Sequence, residues 1–162
     1  MEVKIKKLND KAVLPHKAHP SDAGFDLVAT SMSVDNMGNI VYGTGLAFEI
    51  PEGYVGLLFP RSSISRKDLS LANAVGVVDS HYRGEVTFKF KATWRAWQND
   101  SIKYGLKCLR NTLDASHYMD VYELGDRIGQ LIIMPYPEIE FEQVDELSST
   151  DRGEGGYGST GK

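Results

Sequence analysis

Two segments of the chain combine residue types that bind phosphate and activate water. Residues 60–66 read PRSSISR and bring Arg61, Ser62 and Ser63 together after an apolar run. A guanidinium forks onto phosphate oxygens, and hydroxyl groups donate hydrogen bonds to the oxygens that remain. A solvated polar loop after a strand explains such a short segment at least as well when it is taken alone.

The second segment, residues 73–85, reads NAVGVVDSHYRGE and ends an apolar stretch with the carboxylate of Asp79. A carboxylate in that position can accept a proton from a water molecule and aim it. The ring of Tyr82 offers a flat face to a sugar or a base. In isolation, a strand followed by an Asp-Ser turn is the commoner explanation.

Two more segments carry polar groups whose use depends on the fold. Residues 125–130 read GDRIGQ and open a strand with the amide of Gln130. Residues 148–162 are rich in Ser, Thr and Gly, and are too polar to bury a core. Glycine makes backbone amides accessible there, Arg152 adds a cation, and Tyr157 adds a ring.

The elements that position these segments are predicted to be short antiparallel strands. Apolar residues alternate with polar ones, which is the period of a half-buried strand. The alternation is seen at Ile40 and Tyr42, at Leu46, Phe48 and Ile50, at Val86, Phe88 and Phe90, and at Ile139 and Phe141. Frequent Gly and Pro favour a sandwich, barrel or jelly roll. Residues 94–122 break this rhythm and are interpreted as a short helix or a long hairpin excursion.

Composition limits the class of protein further. A chain of 162 residues, 41% hydrophobic, is long enough for one domain. A net charge of -4 offers no positive field for a nucleic-acid polymer. Cys108 is the only cysteine, so an intramolecular disulfide is impossible. The start is unlike a signal peptide and no segment has the length of a membrane span, so we expect a cytoplasmic, nuclear or phage-encoded soluble protein.

Together with residues 21–29, SDAGFDLVA, these segments occur in the order and approximate spacing of five known motifs. The chain resembles the trimeric, all-β dUTP pyrophosphatase (dUTPase) family over nearly its whole length. The resemblance implies a distorted jelly-roll or β-clip-like domain over 1–147 and a flexible lid over 148–162. It also implies a homotrimer with active sites at subunit boundaries that hydrolyse dUTP to dUMP and pyrophosphate.

The resemblance implies a role for each residue that matches a motif. Asp79 would align the attacking water, Asp26 would support Arg61 from behind, and Mg²⁺ would be held mainly by triphosphate oxygens rather than by protein ligands. Substrate binding would fall to Arg61, Ser62, Ser63, Gln130 and Arg152 for phosphates, to Asn73, Gly76, Val77 and Val78 for uracil, to Tyr82 for deoxyribose and to Tyr157 for ring stacking. Gly158 and Ser159 would be further substrate-binding residues of the tail.

The chain departs from the family pattern in two places. His81 stands where a second acid or a small residue is usual, and a surface turn is its simplest role. Residues 91–123 form an insertion between motifs three and four that carries Trp94 and Trp97. The favoured interpretation is that the insertion adds packing to the trimer, because aromatic residues more often serve cores. The alternative is that the insertion is a docking surface for another protein.

Two other functions remain open at this point. A dCTP deaminase shares the RSS segment, but that family uses a glutamate in the strand after motif three, where residues 86–90 carry Lys89 and no acid. A regulatory module gated by nucleotide would not need the water-aligning acid, although both roles could coexist in one chain.

Overall fold

Alternating apolar residues form short strands, as the sequence predicts. The structure, a computed structural model, describes residues 1–92 and 120–156. Within these ranges one 3-10 helix, Ser62–Arg66, interrupts ten strands. The strands are β1 Lys4–Lys7, β2 Phe25–Val28, β3 Ser31–Val34, β4 Ile40–Gly43, β5 Leu46–Glu49, β6 Tyr54–Pro60, β7 Leu69–Leu71, β8 Gly76–Val78, β9 Thr87–Ala92 and β10 Arg127–Pro135.

The strands form two four-stranded sheets that share one core. The sheet orders are β2-β10-β6-β8 and β3-β4-β9-β7, while β1 pairs with β5. Every pairing is antiparallel. Tyr42, Phe88 and Phe90 from the second sheet join Leu27 and Leu131 from the first in a single buried cluster. The prediction of an all-β, jelly-roll-like fold is confirmed.

A bulge in β10 and a glycine beside it fix how the two sheets meet. Arg127 lies opposite Val28 and Gly129 lies opposite Leu27, so β10 carries one extra residue at this point. A Cβ added to Gly129 would overlap the ring of Phe88 in the facing sheet. Only glycine therefore lets β10 lie this close to the core aromatics.

The insertion between motifs three and four begins and ends beside the same short stretch of chain. Its middle, residues 93–119, lies outside the described residues, and so does most of the predicted helix or hairpin. Ala92 pairs with Leu69 in β7, and Asp68 exchanges hydrogen bonds with Asp120 at 2.8 and 2.9 Å. The two ends of the insertion are thus held next to each other.

A hydroxyl in the core secures the returning end of the insertion. Tyr42 donates its hydroxyl proton to the carbonyl of Tyr122 at 2.8 Å, and both residues are buried. Burial raises the pKa of Tyr42 well above its ordinary value, because the phenolate would lose its hydration. The hydroxyl therefore stays protonated and acts as a donor.

The sequence prediction of a strand at Ile139 and Phe141 is wrong for the single chain. Residues 136–150 form no strand and are exposed, and Phe141 is 96% accessible. The alternation is real, but no strand in the described part of this chain pairs with it. Within residues 1–92 and 120–156, no helix combines the length and the apolar character needed to span a membrane.

We expect Gly129→Ala to lower the free energy of unfolding by about 1–3 kcal/mol, because a methyl group overpacks a filled core. Thermal unfolding followed by circular dichroism measures the loss. Gly156→Ala is the control, since a Cβ there has no heavy atom within 4 Å. Phe88→Leu in the Gly129→Ala chain should recover part of the loss. Unchanged stability of Gly129→Ala would contradict the packing described.

Candidate active site

A buried carboxylate organises the end of the first sheet. Asp26, on β2, is only 4% exposed. Its Oδ1 accepts hydrogen bonds from Arg61 Nε at 2.9 Å and from Gln130 Nε2 at 3.2 Å. Gln130 lies opposite Asp26 in the β2–β10 pairing, and Gly129 lies opposite Pro60 in the β10–β6 pairing. Three adjacent strands thus bring together three residues that the sequence analysis singled out.

A second guanidinium, which the sequence analysis missed, reaches the same carboxylate. Arg127 Nη1 lies 3.2 Å from Asp26 Oδ2. In a regular strand, Arg127 and Gln130 would point to opposite faces, because they are three residues apart. The bulge between Arg127 and Gly129 changes that alternation and lets both side chains reach Asp26. The feature of the sequence that indicates this bulge is Gly129, since an isolated glycine in a strand often marks a bulge.

The serines of motif two begin the 3-10 helix immediately after β6. Arg61 is the residue before the helix, and Ser62 is exposed at its start. Ser63 is half-buried, and its Oγ lies 3.4 Å from the hydroxyl of Tyr122. Lys67, just after the helix, donates to Asp120 at 2.6 Å and to the carbonyl of Val121 at 2.9 Å. The returning end of the insertion therefore contacts the motif that carries Arg61, Ser62 and Ser63.

Motif three lies on β8 and the turn that follows it. Asp79 is exposed directly after the strand. Tyr82 donates its hydroxyl proton to the carbonyl of Glu85 at 2.9 Å, and its backbone N–H donates to the carbonyl of Asp79 at 3.0 Å. A Cβ on Gly84 would overlap the Tyr82 ring. These contacts fix the Tyr82 ring within the turn that follows Asp79.

The uracil-binding residues expected from the sequence surround the start of the same strand. Asn73 is exposed, and Ala74 has a positive φ of 59° where the chain passes from one sheet to the other. Gly76 packs closely against Leu58, and a Cβ at this position would lie 3.0 Å from the Leu58 side chain. Val77 is exposed and Val78 is buried. The departure noted at His81 is an exposed ring whose Nε2 lies 3.3 Å from Glu52 Oε1.

Within one chain, the carboxylate of Asp79 and the guanidinium of Arg61 lie at opposite ends of β6. Val78 is paired with Gly56 near the start of β6, whereas Arg61 follows the last residue of that strand. At about 3.3 Å per residue, Asp79 and Arg61 are on the order of 20 Å apart. The structure therefore brings Asp26, Arg61 and Gln130 together but does not bring Asp79 to them.

Arg152 is the one predicted site residue of the tail that lies among the described residues. Arg152 lies in an exposed turn, where its Nε donates to the carbonyl of Gly155 at 2.9 Å. Tyr157, Gly158 and Ser159 lie outside the described residues. Within the described part of the tail, residues 148–156, no hydrogen bond joins the expected lid to Asp26, Arg61, Gln130 or Arg127, which we call the Asp26 cluster.

A magnesium site made of protein side chains alone does not fit the described part of the chain. No group of three or more His, Cys, Asp or Glu residues is close enough to hold a metal ion in residues 1–92 and 120–156. The buried carboxylate of Asp26 is already occupied by two guanidiniums and an amide. An ion carried by the phosphate oxygens of a ligand is compatible with this donor set.

Known proteins match the chain over its full length. A family model described as dUTPase matches residues 10–96 and 119–161. The deoxyuridine 5'-triphosphate nucleotidohydrolase of Corynebacterium glutamicum is 41% identical over 162 residues, which cover 99% of this chain and 95% of that protein.

Solved structures agree with the sequence matches. The dUTPase of Staphylococcus bacteriophage 80alpha, solved with dUPNHPP, is 30% identical with a TM-score of 0.75 and 99% coverage of both chains. A mutant dUTPase of Staphylococcus aureus phage phi11, whose structure shows a coordinated structural Mg(II) ion, is 28% identical with a TM-score of 0.67, covering 90% of this chain and 98% of that one. The two-sheet fold, the motifs in order along it, and these matches show that the chain belongs to the dUTPase family.

Proposed function

We propose that this protein hydrolyses dUTP to dUMP and pyrophosphate, which supplies dUMP for dTMP synthesis and keeps uracil out of DNA. The observation that carries the proposal is the cluster of Arg61, Gln130 and Asp26 at the end of three strands, with Ser62 and Ser63 beside it. Relatives named deoxyuridine 5'-triphosphate nucleotidohydrolase support the substrate, and their bacterial origin supports a cytoplasmic location.

The triphosphate is held at the Asp26 cluster. Because Arg61 uses Nε for Asp26, its two terminal nitrogens can fork onto phosphate oxygens. The hydroxyls of Ser62 and Ser63 and the amide of Gln130 bind further oxygens. Arg152 binds the γ-phosphate when the tail closes over the site as a lid. The tail also includes Tyr157, Gly158 and Ser159. The analogue dUPNHPP bound to the 80alpha enzyme supports a triphosphate ligand for this family.

The uracil edge is recognised at β8 and Asn73. In the described part of the chain β8 is an edge strand of its sheet, so the backbone groups of Gly76, Val77 and Val78 on its outer side face away from β6. The amino group of cytosine would meet donors meant for a carbonyl, and each unpaired buried polar group costs about 1–3 kcal/mol. The fixed ring of Tyr82 packs against deoxyribose and leaves no space for a 2′-hydroxyl.

Asp79 acts as the general base that activates the attacking water. Its carboxylate accepts a proton from the water as the water oxygen bonds to the α-phosphorus, and the bond to the bridging oxygen breaks so that pyrophosphate leaves. A Mg²⁺ ion held mainly through the triphosphate oxygens would supply charge neutralisation at the phosphates. The structural Mg(II) ion of the phi11 enzyme supports a metal in the family, but the ion proposed here is held mainly through the substrate.

A homotrimer completes the site. Asp79 and Arg61 of one chain are too far apart to act on neighbouring atoms of one substrate, so they must come from different copies. The segment 136–150 supports this arrangement, because Ile139, Phe141 and Leu147 are exposed in the single chain. A second copy would cover these side chains. Arg152, which follows the segment in the same chain, would then lie close to the site of that second copy.

A protein-binding role for the insertion is a second candidate function. The family model leaves out residues 97–118, and the 80alpha dUTPase is described as controlling the transfer of virulence genes. Contacts of Tyr122 and Lys67 join the returning end of the insertion to motif two. A pull-down with the intact chain and a variant lacking residues 97–118, which keeps the buried Tyr122, tests this role, and equal capture by both would exclude it.

We expect Asp79→Asn to lower kcat for dUTP by a factor of about 10² to 10⁴, because the amide cannot accept the water proton. Binding of dUPNHPP should change little, since Asp79 acts on the water. Pyrophosphate release from dUTP, dTTP, dCTP and UTP, with and without Mg²⁺, measures turnover, and calorimetry measures binding. Exposed Asp10 provides the control, Asp10→Asn. Ammonia release from dCTP without pyrophosphate release from dUTP would instead indicate a deaminase.

Mixed trimers test whether the site is shared between subunits. Asp79→Asn and Arg61→Gln chains should each be nearly inactive alone. When the two chains carry different tags and the doubly tagged trimers are purified, about one site in three combines an intact Asp79 with an intact Arg61. We therefore expect activity to return to roughly a third of the wild-type value. Mixed trimers as inactive as the parents would show that both residues act within one chain.

A further inference from the structure

The Asp26 cluster holds more positive charge than one ion pair would. The carboxylate of Asp26 and the guanidinium of Arg61 cancel each other as a net charge. A neutral pair attracts a distant polyanion weakly, because its positive and negative fields largely compensate. Arg127 binds the second oxygen of the same carboxylate and restores one net positive charge.

Arg127 is also placed to touch a ligand. Its side chain is 44% exposed, compared with 23% for Arg61 and 4% for Asp26. It meets the carboxylate through Nη1 alone, whereas the guanidinium carries five N–H donors. The bulge in β10 turns it to the face where Gln130 and Arg61 lie. Among residues 1–92 and 120–156 no second partner is seen for the Arg127 side chain, so its other donors can reach a ligand beside those of Arg61.

We infer that Arg127 is a further phosphate-binding residue, and that Asp26 holds Arg61 and Arg127 on its two oxygens as a paired cation site for a polyphosphate chain. This inference rests on the proposed function of the cluster and deepens it. The carboxylate orients both guanidiniums in advance, so that little side-chain freedom is lost when the ligand binds. The net charge of the cluster, rather than a contact with the nucleoside, sets its preference for highly charged ligands.

Three variants separate charge from packing. Arg127→Gln removes the charge, Arg127→Lys keeps it without the fork, and Lys6→Gln removes an exposed charge from β1, remote from the cluster. Calorimetry at several salt concentrations gives the affinity for dUPNHPP, inorganic pyrophosphate and dUMP. Thermal unfolding shows whether each variant is folded.

We expect Arg127→Gln to weaken dUPNHPP and pyrophosphate binding by a factor of about 10 to 100, since it removes a charged hydrogen bond. The affinity for dUMP, which carries less charge, should fall by less than about threefold. The salt dependence of dUPNHPP binding should become shallower, because one counter-charge is lost. Arg127→Lys should recover most of the affinity, and Lys6→Gln should match the wild type.

Two results would overturn the inference. One is an unchanged affinity of Arg127→Gln for dUPNHPP and pyrophosphate. The other is an equal loss for dUMP and dUPNHPP that Arg127→Lys shares, which would indicate only a structural support of Asp26. The pyrophosphate measurements decide the role of Arg127 even if the wild-type protein failed to hydrolyse dUTP, so the two proposals can fail separately.

Discussion

The architecture of the candidate site depends on one buried negative charge. A carboxylate removed from water is costly unless it is paired and hydrogen-bonded. Asp26 meets this requirement with Arg127 and Gln130, which lie on β10, and with Arg61, which directly follows β6. The order β2-β10-β6 is what makes these contacts possible. The strand order of this sheet therefore determines which charges surround Asp26.

The sheets also explain why one chain carries the parts of the site without assembling them. The two strands of an antiparallel pair run in opposite directions. The chain therefore leaves β8 near the start of β6, whereas Arg61 follows the end of β6. The distance between Asp79 and Arg61 follows from strand geometry alone. The proposed chemistry, in which Asp79 and Arg61 act on one substrate, therefore calls for association of chains.

Much of the fold could be predicted from alternation and turn residues, and the motifs led to the correct family. Phe88 and Phe90 are buried as their spacing predicted. Arg127 was missed because a strand period of two puts it on the wrong face, and a bulge cannot be located from periodicity alone. Ile139 and Phe141 were placed in a strand because alternation reveals an apolar face without revealing which chain covers it. The roles of Asp79 and the tail stay predictions, since they depend on other copies of the chain.

The anchoring of the insertion at Leu69 and Asp68 has a consequence for how such proteins diversify. Because Ala92 and Asp120 are held by neighbouring residues, a connecting segment of almost any length closes the same small gap. The entropy of closing a flexible loop grows only slowly with its length. Connecting segments of different length and sequence can therefore be accommodated at this point without displacing the two sheets.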